Sequence, residues 1–249
     1  MTPSDPITLQ QKPRVHNQVV KGLALGILSG RFQPQTTLPT EVVLCAEFNV
    51  SRGALREAVR VLSGKGLVSS RPRVGTVVRS REDWHLLDPD LLTWSMELAP
   101  DASFVLSLVE ARQAIEPAAA RLAALRATQE EVSHMVSLFG EMEKAKEARD
   151  FERFNLVDAE FHTTLLTASH NVVFRHLSTT ISAALAYSFR LSIAHSHDPG
   201  AALVEHGVVI ERIRLRDADG AQAAMHQLLN IAAIDLGIVR HAKTGDPIA

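Results

Sequence analysis

The sequence predicts a mainly α protein: an N-terminal winged helix-turn-helix followed by a C-terminal all-α antiparallel helical bundle. Three observations predict it. Charge divides along the chain: the first 80 residues carry eleven Lys and Arg against four Asp and Glu, a net of +7, whereas residues 81–249 carry fifteen against twenty-four, a net of −9. Two short β-prone runs flanking a Pro/Gly turn follow directly on a third helical segment. Beyond residue 98 the apolar residues keep helical spacing, with no strand signal, internal repeat or low-complexity stretch.

Residues 1–12 are polar with two prolines and are expected to be a disordered tail. From residue 13 to 29, Val15, Val19, Leu23 and Ile27 recur at helical spacing until Gly30 ends the helix. "RFQPQTTLPTE" reads as a loop, and Thr40 is placed to cap a second helix over "EVVLCAEF". "NVSRGALREAVRVLSGKG" reads as a turn, a third helix from about Ser51 and a glycine stop. "LVSSRPRVGTVVRS" is a hairpin with Pro72 and Gly75 in its turn. The first domain is therefore 13–80. Residues 81–98, with Asp88-Pro89 as a breaker, are expected to be a linker. Residues 99–249 form the bundle: a long alanine-rich helix, a helix opened by the capping box of Thr128 and Glu131, then 151–168, about 171–195, about 200–216 and about 219–240.

Composition excludes other classes. The 46% hydrophobic content suits a globular protein, and no apolar run reaches the 18 or more residues of a membrane helix. "MTPSDPITLQQKPR" lacks the apolar region of a secretion signal, and the single Cys45 rules out an internal disulfide. A cytoplasmic protein without membrane contact is expected.

Duplex DNA is read by a helix in the major groove, with cations on phosphates and a few side chains on base edges. The third helix suits that task. Arg52 and Arg56 are four residues apart on one face and Arg60 extends the stripe, while Leu55, Val59 and Leu62 form the opposite face. Ser51 can cap the helix and reach a phosphate, beside Gly53 in the first turn. The hairpin turn adds Arg71 and Arg73, and Gly75 permits close backbone approach. A merely solvated arginine face would explain Arg52 alone; the full set with the hairpin and the charge asymmetry points to DNA.

"LPTEVVLCAEFNVSRGALREAVRVLSGKGLVSSRPRVGTVV" resembles the DNA-binding domain of the GntR superfamily, through Leu38-Pro39, Glu41, Val50-Ser51-Arg52, Arg56-Glu57-Ala58, Leu62, Gly66-Leu67-Val68 and Gly75. The resemblance implies that Arg52 and Arg56 contact DNA and that the wing enters the minor groove. Many members carry an arginine after the glutamate of this motif; here that position is Val42, so that contact is absent.

In the bundle, "NLVDAEFHTTLL" sets Asp158 and His162 four residues apart among Phe154, Val157, Phe161 and Leu165. His206 shares a stripe with Ala202, Val209, Ile210 and Ile213, and His226 one with Leu229, Ala233 and Leu236. A lone inward histidine is more often a satisfied core residue than a ligand. Four inward polar groups, each costing about 1–3 kcal/mol if unpaired, would all be satisfied by one cation. One carboxylate and three imidazoles suit a divalent metal, Zn2+ or Ni2+. Arg112 and Glu116, i and i+4 on an inward face, are either an intrahelical pair or, with the metal, a pocket for a small carboxylate; Arg190 is a second clamp. His195 and His197 read as loop residues.

"EARQAIEPAAARLAALRAT", Asp158 with His162, Glu205-His206 and His226 resemble the FCD ligand-binding domain of the FadR subfamily, and the 81–98 stretch and Arg190 resemble its sugar-acid regulators. The resemblance implies an FCD-type bundle, metal held by Asp158, His162, His206 and His226, and an effector carboxylate reached by Arg112. The expected protein is a homodimeric regulator, a repressor on palindromic operator DNA, controlled by a small organic acid and not an enzyme. Three alternatives stand beside it: a regulator for which the metal itself is the signal, a metal-dependent hydrolase fused to a DNA-binding domain, and a constitutive DNA-architectural protein, which the inward polar residues argue against.

Overall fold

The computed structural model describes residues 12–98, 102–182, 185 and 200–235, and the chain divides into two compact units, 1–100 and 101–249. Mainly helical units with one small sheet are what the sequence predicts.

The first unit contains α1 (Lys12–Leu28), α2 (Glu41–Phe48), α3 (Arg52–Gly64), β1 (Val68–Arg71) and β2 (Gly75–Val78). Ser51 caps α3 by accepting from the Ala54 amide, while Thr40 occupies the N-cap position of α2 without a side-chain hydrogen bond. Leu55, Ala58 and Leu62 bury one face of α3, leaving its arginines on the other. The strands pair antiparallel from Val68↔Val78 to Arg71↔Gly75, so Pro72, Arg73 and Val74 form the wing tip. The expected loop before α2 does more than connect. Leu38 donates to the Thr76 carbonyl at 2.8 Å, Gln35 to Val78 at 2.9 Å, and Val78 donates back to Thr36 at 2.9 Å, giving β2 a second partner.

The expected linker over 81–98 instead folds into this unit. After a 3-10 turn at Arg81–Asp83, α4 (Pro89–Glu97) begins. The Asp88 carboxylate accepts from the amides of Asp90 and Leu91, and Pro89 sits in the first turn. A cap followed by proline is a helix start, because the missing N–H is one the first turn cannot pair anyway. Trp84, Leu91 and Trp94 join the core of α1 and α3, and Lys65 closes the junction with ion pairs of 2.7 Å to both Asp88 and Asp90.

The second unit contains α5 (Ala102–Arg126), α6 (Gln129–Glu147), α7 (Phe151–Ala168), α8 (Val172–His176), α9 (Gly200–Arg214) and α10 (Ala218–Asp235). The capping box is present: Glu131 N donates to Thr128 Oγ1 and Thr128 N to Glu131 Oε2. The helix expected over 171–195 is interrupted by a turn at Leu177 and resumes over 178–182. Ala120, Ala123 and Ala124 present a smooth buried face on α5, in one core with the apolar face of α10, which packs on α5. Small side chains let helix axes approach closely. Pro117, inside α5, brings no amide hydrogen, so the Gln113 carbonyl lacks its usual helical donor beside Glu116. The expected tail, residues 1–12, lies outside the described residues except for Lys12, which opens α1. No helix among the described residues is long and apolar enough to cross a membrane.

Gly66 holds the turn from α3 into β1 at φ +77°, and a Cβ there would lie 2.3 Å from the Asp83 carbonyl oxygen. Gly66→Ala therefore combines a left-handed backbone with a backbone clash. It is expected to cost about 2–4 kcal/mol, read as a lower urea midpoint for the first unit.

Candidate DNA face and buried polar site

The arginines of α3 are exposed but not equivalent. Arg56 forks onto Glu41, with Nε 2.9 Å from Oε1 and Nη2 3.1 Å from Oε2, and Arg60 pairs with Glu57 at 2.7 Å. Arg52, at the start of the helix with exposed Ser51 and Gly53, makes no side-chain hydrogen bond among the described residues. It contributes only through space, helping Arg56 to hold the Glu41 carboxyl below its ordinary range. On the wing, Arg71 and Arg73 are exposed. Arg73 adopts φ 65° and Gly75 φ 107°, so the tip is a tight turn that thrusts Arg73 outward. The expected DNA-facing residues of α3 and the hairpin are thus all exposed. Sequence reasoning missed Glu41 as the group that orients Arg56; an acid opening α2 was its only signal.

The second unit buries a polar group of a different kind. Asp158 and His162 on α7, His206 on α9, and Arg112 and Glu116 on α5 are all buried in an otherwise apolar bundle. One ligand atom each from Asp158, His162 and His206 fall within 4.8 Å of one another, a grouping that can hold a metal ion. Phe161 packs edge-on against both imidazoles, its centroid 5.4 Å from that of His162 and 4.8 Å from that of His206, which fixes the ring planes.

The protonation pattern of this group is informative. His206 Nδ1 lies 2.8 Å from the Ala202 carbonyl oxygen, which can only accept, so Nδ1 carries the hydrogen. In the neutral ring Nε2 then presents a lone pair. That nitrogen is buried and 2.9 Å from Asp158 Oδ1, but off the axis a hydrogen bond requires, so two electron-rich atoms face each other. His162 repeats the theme: Nδ1 approaches Glu116 Oε2 at 2.6 Å off axis, and Nε2 stands 3.8 Å from Asp158 Oδ2. The His206 Nε2 lone pair beside Asp158 fits a divalent cation, and Glu116, 2.6 Å from His162 Nδ1, stands where an outer carboxylate would orient a ligating imidazole through its N–H.

Both carboxylates of the cluster are held in the charged form. Burial would raise the Glu116 carboxyl, but Arg112 and His162 beside it hold it down at about 2. Burial would likewise raise Asp158, and the imidazoles of His162 and His206 with Arg112 outweigh it, keeping the group below the usual carboxylate range. An imidazole must be neutral to ligate a cation, and in that state one guanidinium and two carboxylates give the cluster a net charge of −1.

The expected site is only partly assembled. Arg112 and Glu116 form the intrahelical pair, Nε to Oε1 at 2.6 Å, and Arg112 Nη2 also lies 3.5 Å from His162 Nε2. Glu116 accepts from Arg112 and faces His162 Nδ1, so it lies against those two groups rather than open to a ligand. His226, expected as the fourth ligand, is exposed and outside the cluster. The reason is helix phase: Ala221, Ala224, Met225, Leu228 and Leu229 face the core, and His226, about 100° on from Met225, turns away. Arg190, His195 and His197 lie outside the described residues.

Comparison with known proteins places these features. The profile of the bacterial regulatory proteins of the GntR family matches residues 16–78, and that of the FCD domain matches residues 107–230. The galactonate operon transcriptional repressor of Escherichia coli K12 is 34% identical over 209 residues, 84% of this chain and 90% of the relative. The uncharacterized HTH-type transcriptional regulator YieP of the same strain is 34% identical over 227 residues, 90% of this chain and 97% of the relative. Among solved structures, a GntR protein of Streptococcus agalactiae superposes with a TM-score of 0.50 at 27% identity, covering 88% of this chain and 98% of its own.

Removing one member of a buried ion pair leaves the other charged in a dry core. Glu116→Leu is therefore expected to cost about 3–5 kcal/mol, measured by denaturant unfolding with chelator present, and Arg112→Met in the same chain should restore most of the loss. Glu116 titrates at about 2 in the fold against an ordinary 4.5. Its stabilisation is thus complete above pH 4.5 and fades as the pH falls toward 2. The double variant should unfold with a shallower pH dependence in that window.

Proposed function

This chain belongs to the GntR family of bacterial regulatory proteins and is a DNA-binding transcriptional regulator with an FCD domain; from that premise we propose a homodimeric repressor whose operator affinity is set by a small carboxylate or sugar acid bound at a divalent metal in the bundle. The observation that carries the proposal is the His206–Asp158 contact, where a fixed imidazole tautomer points an orphaned lone pair at a buried carboxylate. Asp158, His162 and His206 would hold the ion, Zn2+ or Ni2+ by donor type. When bound, the ion supplies two positive charges that turn the cluster's net −1 into +1, which an effector carboxylate neutralises.

The protein's own side chains do the rest. Glu116 anchors Arg112 and orients His162, and Arg112 offers its remaining donor to the carboxylate. On DNA, Arg52 and Arg56 reach base edges in the major groove, while Arg71 and Arg73 neutralise phosphates along the wing. Two copies sit on a palindromic site with two-fold symmetry. The effector changes operator affinity only by as much as its own affinity differs between the DNA-competent and DNA-incompetent states. The likeness to a repressor named for the galactonate operon supports both the sign of regulation and an acid effector.

The test uses a duplex selected from a randomised library by the intact protein. Asp158→Ala should bind that duplex with unchanged affinity but lose the response to sugar acids, and chelation of the wild type should do the same. A normal acid response in Asp158→Ala would sink the reading. Arg52→Ala should weaken binding by about 1–3 kcal/mol and relax selectivity at one symmetric base pair, whereas Arg73→Ala should lower the slope of log K against log salt by about 1.

A further inference from the structure

We propose that Val42 is a specificity-determining residue: its methyl groups pack on the 5-methyl of a thymine in the major groove, next to the base pair read by Arg56. The contact rests on α3 lying in that groove, as proposed above, and adds α2 to the reading surface.

A single exposed valine is ordinary on a protein surface. Val42 differs in where it stands. α2 touches the reading arginine directly: Glu41, its first residue, accepts from Arg56 Nε at 2.9 Å and from Nη2 at 3.1 Å. Side chains advance about 100° per residue around a helix. Val42 therefore follows Glu41 by about 100° and points about 160° away from Leu44, which is buried. Val43, also exposed, falls about 160° from Glu41, on the far flank. Of the two exposed valines, Val42 is the one beside the arginine.

Charge excludes the phosphates as its partner. "EVVLCAEF" holds no lysine or arginine, and both of its acids are paired, Glu41 with Arg56 and Glu47 with Arg31 at 2.7 Å. α2 thus has no side-chain cation to offer a phosphate, whereas α3 carries Arg52, Arg56 and Arg60 and the wing carries Arg71 and Arg73. What α2 turns outward beside Arg56 is apolar. Among the base edges of the major groove the apolar counterpart is the thymine methyl, and the minor groove presents none.

Valine suits that contact. Branching at Cβ leaves it one dominant χ1 rotamer in a helix, so its methyls are in place before DNA arrives. A single methyl taken out of such a contact lowers affinity about fourfold.

The full-length protein and its library-selected duplex provide the test. Each thymine of one half-site is replaced in turn by deoxyuridine, which removes the 5-methyl and keeps every hydrogen-bonding group. Wild type should lose about fourfold at one position, adjacent to the base pair whose selectivity Arg56→Ala relaxes. Val42→Ala should bind the thymine and deoxyuridine duplexes alike at that position. Val43→Ala and Val74→Ala, which also shorten exposed valines of the first unit, should keep the difference. If no thymine responds to loss of its methyl, or Val42→Ala keeps the response, the contact is overturned while α3 stays in the groove. Loss of the response in Val43→Ala or Val74→Ala instead of Val42→Ala overturns it equally. If Arg56→Ala binds the selected duplex as wild type does and relaxes no position, the major-groove reading of Arg56 under Proposed function falls, and the thymine contact with it.

Discussion

The second unit is organised around a charge that its core cannot leave unbalanced. Arg112, Glu116, His162, Asp158 and His206 come from three helices and meet where everything around them is apolar. Taking such groups out of water costs several kcal/mol per ion, and the cost is met only when each charge has a partner in place. That constraint sets the phases of α5, α7 and α9 together: rotating any one of them would strand a carboxylate or a guanidinium. The alanine face of α5 and the ring of Phe161 are the apolar counterparts of the same requirement, bringing backbones close and pinning the imidazoles.

Within the cluster the two carboxylates are matched to different tasks. Glu116 is satisfied by Arg112, which donates to it, and with His162 alongside it is strongly acidic as a result. Asp158 faces two nitrogens, and its contact with His206 lacks hydrogen-bond geometry. One acid is structural and closed, the other is open to a cation. Polar groups at an inner position can therefore be sorted by whether their lone pairs already have a donor, and only the unsatisfied ones describe a ligand.

The fold was readable from sequence where local chemistry decides it. Ser51 and the Thr128–Glu131 capping box announce their helices because the side chain bonds the nearest free amides. The exposed arginine face of α3 follows from spacing alone. Asp88-Pro89 was misleading because the same dipeptide can break a chain or open a helix, and only Trp84, Leu91 and Trp94 packing into the core decides between them. The site was half readable. Asp158, His162 and His206 lie on strongly apolar stripes, but α10 is rich in alanine, and alanine marks either face of a helix equally well. His226 was therefore assigned one residue out of phase. The approach of Glu116 to His162, 46 residues apart, leaves no trace in spacing, nor does the fork of Glu41 on Arg56.

That fork has a consequence for how the protein searches DNA. In the free protein the Arg56 guanidinium already holds an anion, so every phosphate it passes must compete with Glu41 rather than with water. On the DNA face proposed above, the acid also repels the duplex backbone. Both effects weaken binding to all sequences alike, whereas a guanine edge, which presents neutral acceptors rather than another anion, can engage the arginine's outward donors without displacing the carboxylate. Selectivity is a difference between affinities. An acid on the reading face widens that difference from below, shortening the time spent on wrong sites more than the time spent on the right one.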